Sequence, residues 1–238
     1  AAHTSFGVGG SARFFAVAES VEDVREALEF AQKRSVPVYI LGGGNNTLFT
    51  DKGWSGLVLH PHILGKDYTE GAQGNARVHV GAGEDWDAFV EGAVLQGFWG
   101  LENLSYIPGS VGAAPVQNIG AYGVSMEDVT EHVEVLDMET GELHIFTPKD
   151  CQFAYRDSLF KHPEGEKYLI TRVTCVLGVG GAPNVSYTEQ KRSGGYKDLL
   201  QYFPDGVENA TPKDVRSALQ EIRSSKLPDP NKIGTSGS

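Results

Sequence analysis

The chain has 238 residues, of which 31 are acidic and 20 are basic, so its formal net charge at pH 7 is −11. An acidic surface repels nucleic acid and anionic membranes, and we therefore expect neither as a partner. Hydrophobic residues make up 40% and charged residues 21%, which is typical of a folded globular protein. Glycine is in excess, with 30 residues, where the usual share predicts about 17. These glycines cluster in loops, where we expect the functional residues.

Several other classes of protein are excluded by simple patterns. No apolar run approaches the ~20 residues needed to cross a bilayer, and residues 1–6 lack both regions of a secretory leader. Cys151 and Cys175 form no C-x-x-C motif, so two free thiols are expected rather than a disulfide. His60 and His62 are the only close histidine pair, and no acidic or Cys partner stands at ligand spacing, so no metal site is predicted.

The first predicted elements form a small α/β unit. Ser20 is a predicted N-cap, and apolar residues recur at three and four positions along the helix that follows, from Val21 to Ala31. Residues 36–41 predict a buried strand, and residues 57–59 predict a second, short one. The polar, glycine-containing stretch 65–75 predicts the boundary to a second unit.

The second unit alternates strands with two longer helices. Arg77–Val80 predicts a strand, and the apolar face from Trp86 to Val94 predicts a helix that Gly97 ends. The remaining predicted elements are a hairpin (133–135 with 143–145), a short turn from Thr147, a strand (168–177) and a helix that begins at Pro212 after the cap Thr211. Residues 227–230 are expected to be extended and residues 234–238 flexible.

The first candidate site is the segment Leu41–Thr47, in which three glycines follow a strand. Glycine lets backbone N–H groups converge on an anion without obstruction by a Cβ atom. No Gly-Lys-Ser/Thr follows, and the segment does not match G-x-G-x-x-G opening a helix. From the spacing alone, phosphate binding and a plain glycine-rich turn are equally good interpretations.

The second candidate is Ile107–Gly123, within the aperiodic stretch from Phe98 to Val124. Its small residues would let a flat or anionic ligand approach the backbone, and Gln117, Asn118 and Tyr122 supply polar groups and an aromatic face. A well-packed Ω-type loop is an equally good interpretation of these residues.

The third candidate is Tyr155–Lys161, where Arg156 and Lys161 are flanked by aromatic residues. A guanidinium binds carboxylates and phosphates bidentately. Taken alone, however, a salt bridge from Arg156 to Asp157 or to a nearby Glu is the better interpretation.

Taken together, these segments resemble a known family. Residues 40–49, the 107–123 loop and Tyr155–Ser158 occur in the same order in the bacterial UDP-N-acetylenolpyruvoylglucosamine reductases, as do 225–230 and 234–238. The resemblance extends over nearly the whole chain. It implies an α+β fold, the FAD-binding fold of the vanillyl-alcohol oxidase type, built from two α/β subdomains.

The resemblance also implies the reaction. In this family NADPH reduces FAD, and a hydride then passes to carbon-3 of the enolpyruvyl group of a UDP-sugar, which gives UDP-N-acetylmuramate for peptidoglycan synthesis. A serine protonates carbon-2, and an arginine with a glutamate stabilises the enolic intermediate. FAD as cofactor, NADPH as co-substrate, a UDP-sugar as substrate, a cytoplasmic location and a monomer are therefore expected.

Residues are assigned by their place in the matching motifs. Arg156 falls on the enol-stabilising arginine, and Ser238 falls on the proton-donating serine. Tyr187 falls on a tyrosine that contacts the substrate. Arg223 and Lys226 resemble basic residues at the diphosphate or the nicotinamide phosphate, with surface charges as the alternative for both.

The resemblance places the flavin in the first two candidate loops. The residues expected to hold it are Gly42, Gly43, Gly44, Asn45, Asn46, Thr47, Pro108, Gly109, Ser110, Gly112, Ala113, Gln117, Asn118, Gly120, Tyr122 and Gly123. A cradle of backbone N–H groups suits a chain of net charge −11, because local dipoles hold a dianion without a basic surface.

The resemblance finally predicts the domain organisation. Residues 1–64 and 65–220 are expected to be the two FAD-binding subdomains, and residues 221–238 the start of a substrate-binding domain. The family's catalytic glutamate lies beyond the serine motif, so no match for it is present. The chain is therefore expected to bind FAD and to turn over poorly, and a non-catalytic flavin-binding module is the alternative.

Overall fold

The computed structural model describes residues 2–182, 184, 197–227 and 233–235. In chain order its strands are β1 (Ala12–Ala18), β2 (Val38–Ile40), β3 (Trp54–Pro61), β4 (Lys66–Glu70), β5 (Ala76–Gly81), β6 (Phe98–Trp99), β7 (Gly120–Ala121), β8 (Val124–Ser125), β9 (Thr130–Asp137), β10 (Leu143–Phe146) and β11 (Tyr168–Val179). Its α-helices are α1 (Val21–Lys33), α2 (Trp86–Leu95), α3 (Met126–Val129), α4 (Lys197–Leu200) and α5 (Pro212–Lys226).

The first sheet is small and parallel, with strand order β1-β3-β2. Helix α1 begins with a capping box between Ser20 and Asp23, as the sequence predicts, and buries Val24 against the sheet. Strand β1 is not among the predicted strands, because it lies at an edge and its side chains are only half buried. Strand β2 was predicted to be buried and is instead half-buried, because β3 takes the central position.

The second sheet is antiparallel, with order β10-β9-β11-β5-β4. Helix α2 packs on it through a core that includes Trp86, Phe89 and Val90. The predicted hairpin forms between β9 and β10, and Gly97 ends α2 in the left-handed conformation with φ of +80°. The stretch 65–75, predicted as a polar boundary, instead contains β4, which pairs with β5.

Helix α5 docks onto the second sheet's unit. Its capping box joins Thr211 and Asp214, and Pro212 opens the first turn, as predicted. The helix is continuous through residues 220 and 221, so a domain boundary at that point would divide it. Its buried Arg216 pairs with Asp87 of α2, which places the whole helix with the second unit.

The two ends of the described chain meet. The N–H group of Thr235 donates to the carbonyl oxygen of Ser5 at 3.0 Å, and the Ser5 hydroxyl donates to the Thr235 carbonyl at 2.7 Å. Residues 234–238 were predicted to be flexible; of the two that the structure describes, Gly234 and Thr235, Thr235 is hydrogen-bonded to the N-terminal segment.

The two cysteines are free and buried, which confirms the prediction of two thiols. Burial raises the pKa of each thiol to about 12, and at Cys151 the charge of Asp150 adds to the effect of burial.

Candidate active site

A cavity of about 910 Å³ is lined by residues from both sheets and from the loops that connect them. The first sheet contributes Ile40 and Trp54, and the second contributes Leu169 and Ile170. Most of the residues predicted to hold a cofactor or substrate line it: Gly42, Gly43, Gly44, Asn45, Asn46, Thr47, Pro108, Gly109, Ser110, Gly112, Ala113, Gln117, Gly120, Arg156 and Arg223. The tertiary structure therefore brings together three candidate segments that are far apart in sequence.

Not every predicted residue reaches the cavity wall. Four residues that the structure describes do not line it: Asn118, Tyr122, Gly123 and Lys226. Two further predicted residues, Tyr187 and Ser238, lie outside the described residues.

The glycine loop after β2 presents its backbone to the cavity. The Leu41 N–H group still bonds to the Leu59 carbonyl, at 2.9 Å. From Gly42 to Asn46, no backbone N–H group donates a hydrogen bond to any residue that the structure describes. Unpaired N–H groups that point together form a site for an anion.

Glycine is required in this loop because another backbone lies against it. A Cβ atom on Gly43 would lie 2.8 Å from the Cα atom of Gly109 and 2.6 Å from Oδ1 of Asn45. A Cβ atom on Gly42 would come within 2.9 Å of the Ser110 hydroxyl oxygen. The two predicted flavin loops therefore touch through their glycines.

The second loop is fastened to the start of α2. The Trp86 N–H group donates to the Gly109 carbonyl at 2.9 Å, and the Trp86 indole N–H donates to the Leu104 carbonyl at 3.0 Å. Val111 and Gly112 donate to the carbonyls of Glu84 and Ala82, at 2.9 and 2.8 Å. Several backbone groups of this loop are therefore already engaged in hydrogen bonds to neighbouring segments and hold the loop in place.

A side-chain hydrogen bond links the two loops. Nδ2 of Asn46 donates to Oε1 of Gln117, and both residues line the cavity. Their positions are 71 residues apart.

Asn118 does not line the cavity, and its side chain instead holds neighbouring segments in place. It is 4% exposed and has φ of +42°, a conformation that Asn tolerates better than most residues. Its Nδ2 donates to the Ala154 carbonyl at 2.9 Å, and its Oδ1 accepts from the Glu127 N–H group at 3.1 Å. It thus fixes the loop that carries Arg156.

Tyr122 lies at the far side of the same loop. Its carbonyl oxygen accepts from Nδ2 of Asn103 at 2.7 Å, and its side chain packs against the cluster formed by Leu199 and α5. It therefore contacts the helix that carries Arg223.

Arg156 is held at the cavity by main-chain carbonyls. Its guanidinium donates to the carbonyl oxygens of Gly120 and Asn118, and its own backbone is left-handed, with φ of +55°. A Cβ atom on Gly120 would lie 3.0 Å from Nη1 of Arg156, so a bulkier residue would crowd the guanidinium.

The alternative of a salt bridge from Arg156 to Asp157 is wrong. Asp157 instead pairs with Nε2 of His162 at 2.9 Å, and this hydrogen bond lowers the pKa of the Asp157 carboxyl. The guanidinium has no carboxylate partner among the described residues, so its charge remains available to a ligand.

The cavity is cationic although the chain is acidic. Arg156, Lys161 and Arg223 line it, whereas Glu166 is the one acidic residue among the described residues of its wall. Burial lowers the pKa of Arg223, opposed by the charges of Tyr122 and Asp87. This balance favours an anionic ligand.

Two further wall residues carry polar groups that a ligand can use. Lys161, which belongs to the third candidate segment, lines the cavity and donates from Nζ to the Arg156 carbonyl at 2.9 Å. Trp54, which no sequence motif singled out, also lines the cavity, and its buried indole N–H has no hydrogen-bond partner among the residues that the structure describes.

Within the described part of the chain, no cluster of three or more His, Cys, Asp or Glu side chains has a geometry suited to a metal ion. The helices of that same part include none with both the length and the hydropathy of a membrane span.

Comparison with known proteins shows which protein family this chain resembles. Residues 12–147 match a family described as FAD binding domain. A UDP-N-acetylenolpyruvoylglucosamine reductase of Pseudomonas fluorescens is 43% identical over 234 residues, which are 98% of this chain and 66% of that protein. The chain thus spans about two thirds of the length of the curated relatives it matches.

Solved structures agree on the fold. The UDP-N-acetylenolpyruvylglucosamine reductase of Thermus caldophilus superposes with a TM-score of 0.69 at 26% identity, covering 99% of this chain and 70% of that one. The BBE-like 1 protein of Physcomitrella patens, at 16% identity, superposes with a TM-score of 0.56 over 74% of this chain and 39% of that one, and shows the fold alone. The predicted α+β FAD-binding fold of the vanillyl-alcohol oxidase type is confirmed.

Proposed function

The chain belongs to the UDP-N-acetylenolpyruvoylglucosamine reductase family, and on this premise we propose that it is the FAD-holding part of an NADPH-using enzyme. The reaction proposed is the reduction of UDP-N-acetylglucosamine enolpyruvate to UDP-N-acetylmuramate, for peptidoglycan synthesis in the cytoplasm. The observation that carries the proposal is the row of N–H groups from Gly42 to Asn46, which donate to no described residue and lie on the wall of a cavity of about 910 Å³.

The residues present fit FAD. Its diphosphate is a dianion, and the N–H groups of the glycine loop together with the packed Gly43 and Gly109 leave room for phosphate oxygens but not for side chains. Apolar side chains such as Ile40, Pro108 and Ile170 line other parts of the wall and suit flat rings. The Trp54 indole N–H, which has no partner in the described part of the chain, is a donor for a polar ligand atom. Bound FAD would supply hydride transfer.

We assign the remaining roles from the family motifs and the cavity. Arg156 would stabilise negative charge on the substrate, and Ser238 would donate the proton. Tyr187, Arg223 and Lys226 would contact the substrate or the NADPH phosphates. Asn118 and Tyr122 would act on the flavin indirectly, through the loops they hold.

The domain division is proposed with one change from the sequence prediction. The first subdomain would be residues 1–64, since β3 ends at Pro61 and β4 begins at Lys66 in the other sheet. The second would run from 65 to 226, so that it includes all of α5.

FAD binding is the first test. The purified protein, stripped of flavin and titrated with FAD, is expected to quench flavin fluorescence at one equivalent and to show visible flavin absorption. A protein that stays colourless and does not quench FAD would contradict the proposal.

Turnover is the second test, made on the full-length natural gene product and on this chain in parallel. Oxidation of NADPH that depends on the enolpyruvyl UDP-sugar is expected for the full-length product. FAD binding without substrate-dependent oxidation in the full-length product would favour the flavin-binding module instead.

Arg156→Ala separates the two half-reactions. Because Arg156 is proposed to meet the substrate and not NADPH, reoxidation of the reduced flavin by substrate should slow by about 100-fold or more. Flavin reduction by NADPH should stay within about twofold of the unmodified protein. Stopped-flow flavin absorbance measures both, and Arg156→Lys is the control that keeps the charge. Equal slowing of both halves would contradict the role.

A further inference from the structure

Asp87, in the first turn of α2, joins three parts of the molecule. Its Oδ1 accepts from Nη1 of Arg216 at 2.6 Å, and its Oδ2 accepts from Nη2 of Arg216 at 2.9 Å. Oδ1 also accepts from the backbone N–H group of Tyr106 at 2.5 Å. One carboxylate therefore connects α2, α5 and the loop that leads into Pro108 and Gly109.

The same connection reaches the cavity. The carbonyl oxygen of Tyr106 accepts from Nε of Arg223 at 3.1 Å. Tyr106 itself has φ of +63°, which is an unfavourable conformation for a bulky residue and requires support from its surroundings. The Asp87 carboxylate supplies that support by accepting from the Tyr106 N–H group, while Arg223 donates to the carbonyl oxygen of the same residue.

Arg223 is arranged as a receptor for an oxyanion. Only its Nε is used within the described residues, and neither Nη1 nor Nη2 donates to any acceptor there. The residue lines the cavity and is partly buried. Because Nε is hydrogen-bonded to the Tyr106 carbonyl, the N–H groups of Nη1 and Nη2 remain to donate to two oxygens of one phosphate group.

We propose that Asp87 is a positioning residue for Arg223, and that the pair Asp87–Arg216 sets the affinity of the cavity for a phosphate-bearing ligand without touching it. The ligand chemistry is a diphosphate, carried either by a pyridine nucleotide or by a nucleoside-diphosphate sugar. The identity of that ligand rests on the proposed function, whereas the positioning itself rests on the hydrogen bonds of the described residues.

Arg216 is the element that keeps the carboxylate fixed. It is 8% exposed, and it approaches a second carboxylate, that of Glu91, at 3.8 Å. Burial lowers the pKa of Arg216, but the hydrogen bonds and charge of Asp87 outweigh this and raise it overall. A buried guanidinium that loses its carboxylate partner is left uncompensated, so α5 and with it Arg223 would shift.

The test is a double-mutant cycle on the flavin-loaded full-length protein, with inorganic pyrophosphate as the probe and calorimetric titration as the measurement. Asp87→Asn keeps the shape but replaces one acceptor by an NH₂ group facing Arg216, and is expected to weaken pyrophosphate binding by about tenfold. Arg223→Ala is expected to weaken it at least as much. In the Arg223→Ala background, Asp87→Asn should have an effect of less than about twofold, because both act through one guanidinium.

Two further variants keep the result interpretable. Glu91→Gln removes a charge near Arg216 but does not touch Tyr106, and should leave pyrophosphate binding within about twofold. Arg216→Lys keeps the charge but loses the bidentate fork, and should fall between Asp87→Asn and the unmodified protein. Should Asp87→Asn not fold, this variant completes the cycle with Arg223→Ala.

Repeating the cycle with NADP⁺ and with UDP distinguishes the two sources of diphosphate. In turnover, Asp87→Asn should raise KM for the affected ligand while kcat and FAD content stay within about twofold of the unmodified protein. Equal effects of Asp87→Asn with and without Arg223 would overturn the proposal, and so would an unmodified protein that binds none of the three probes. Failure to bind FAD would instead count against the proposed function, and the pyrophosphate cycle could still be read on the flavin-free protein.

Discussion

The two glycine-containing loops of the cavity are built in opposite ways. In the loop that follows β2, the N–H groups from Gly42 to Asn46 donate to no described residue. In the loop that precedes β7, Val111 and Gly112 donate to the backbone of residues 82–84, and Gly109 accepts from Trp86. The first loop offers its polar groups to a ligand, whereas the second uses them to hold its own position.

Glycine has two roles in these loops: it leaves N–H groups open to a ligand, and it lets the two backbones approach each other closely. Gly43 and Gly109 face each other across the contact between the loops, where a Cβ atom on Gly43 has no space. A rigid second loop thus sets the shape of a first loop whose binding groups remain free. We expect mutations in the first loop to affect ligand affinity most, and mutations in the second to affect stability.

Gly43→Ala should have the largest effect. The added Cβ atom would lie 2.8 Å from the Cα atom of Gly109, where only backbone can move aside. Overpacking of this kind should weaken FAD binding by roughly 10- to 100-fold, measured by fluorescence titration.

Gly92→Ala is the matched control for this change. Its Cβ atom would meet only the Tyr68 hydroxyl oxygen, at 3.6 Å, inside α2. FAD binding should be unchanged, and the free energy of unfolding should rise by about 0.5–1 kcal/mol. Normal FAD affinity in Gly43→Ala would refute the assignment of the first loop.

Asn118→Ala should mainly lower stability. It removes hydrogen bonds to the Ala154 carbonyl and the Glu127 N–H group and leaves both groups without this partner. The free energy of unfolding, measured with urea, should fall by about 2 kcal/mol or more.

Gln152→Ala is the control for truncating a side chain at an exposed left-handed position. Gln152 is exposed and also has a positive φ, +50°, but it has no comparable buried side-chain bonds. Because Gln and Ala both carry a Cβ atom, the cost of the left-handed conformation does not change, and the free energy of unfolding should stay within about 0.5 kcal/mol. Equal losses for the two variants would show that Asn118 does not brace the loop.

Trp86→Phe should have a smaller effect of the same kind. It removes the indole hydrogen bond to the Leu104 carbonyl in a site that is 1% exposed. A loss of about 1 kcal/mol in the free energy of unfolding is expected, with less than about twofold change in FAD affinity. A loss of FAD affinity much greater than twofold would contradict the distinction between a first loop that binds the ligand and a second loop that holds the structure.

The smallest expected effect concerns the reactivity of the two cysteine thiols. With pKa values of about 12, Cys151 and Cys175 are almost entirely protonated at pH 8, and both are buried. Neither should react with a thiol-specific disulfide reagent in the native protein, and both should react after denaturation.

Ser224→Cys, at an exposed position of α5, is the positive control for the reagent. Rapid native reaction of Cys151 would show that the region next to Arg156 opens. The scaffold of the second loop would then be less rigid than its hydrogen bonds indicate.

Sequence signals were sufficient where the causes are local. The capping boxes of Ser20 and Thr211 place the starts of α1 and α5, and the alternation in β9 and β10 predicts their hairpin. Strand β1 was missed because it lies at an edge and buries its side chains only in part, whereas β2 was predicted as a strand but with more burial than it has. The boundary at residue 220 stays a prediction, but it falls inside α5, whose pairing with α2 through Arg216 and Asp87 has no signal in the local sequence.

The candidate site was predicted in outline. The glycine loops and Arg156 carry motifs that can be read from the residues and from the family they resemble. The roles of Asn118 and Trp54 could not be predicted, because each depends on which groups happen to lie beside it after folding. Burial of an indole N–H without a partner leaves no trace in the neighbouring sequence.

The sequence by itself determined the family, the cofactor-binding fold and the segments that meet at the cavity. Only the tertiary structure decided which polar groups are already satisfied and which remain for a ligand. Arg156 finds its acceptors 36 and 38 residues away, and Arg216 finds Asp87 at a distance of 129 residues. Hydrogen bonds of this range form only when the chain has folded, and they leave free the N–H groups that a ligand needs.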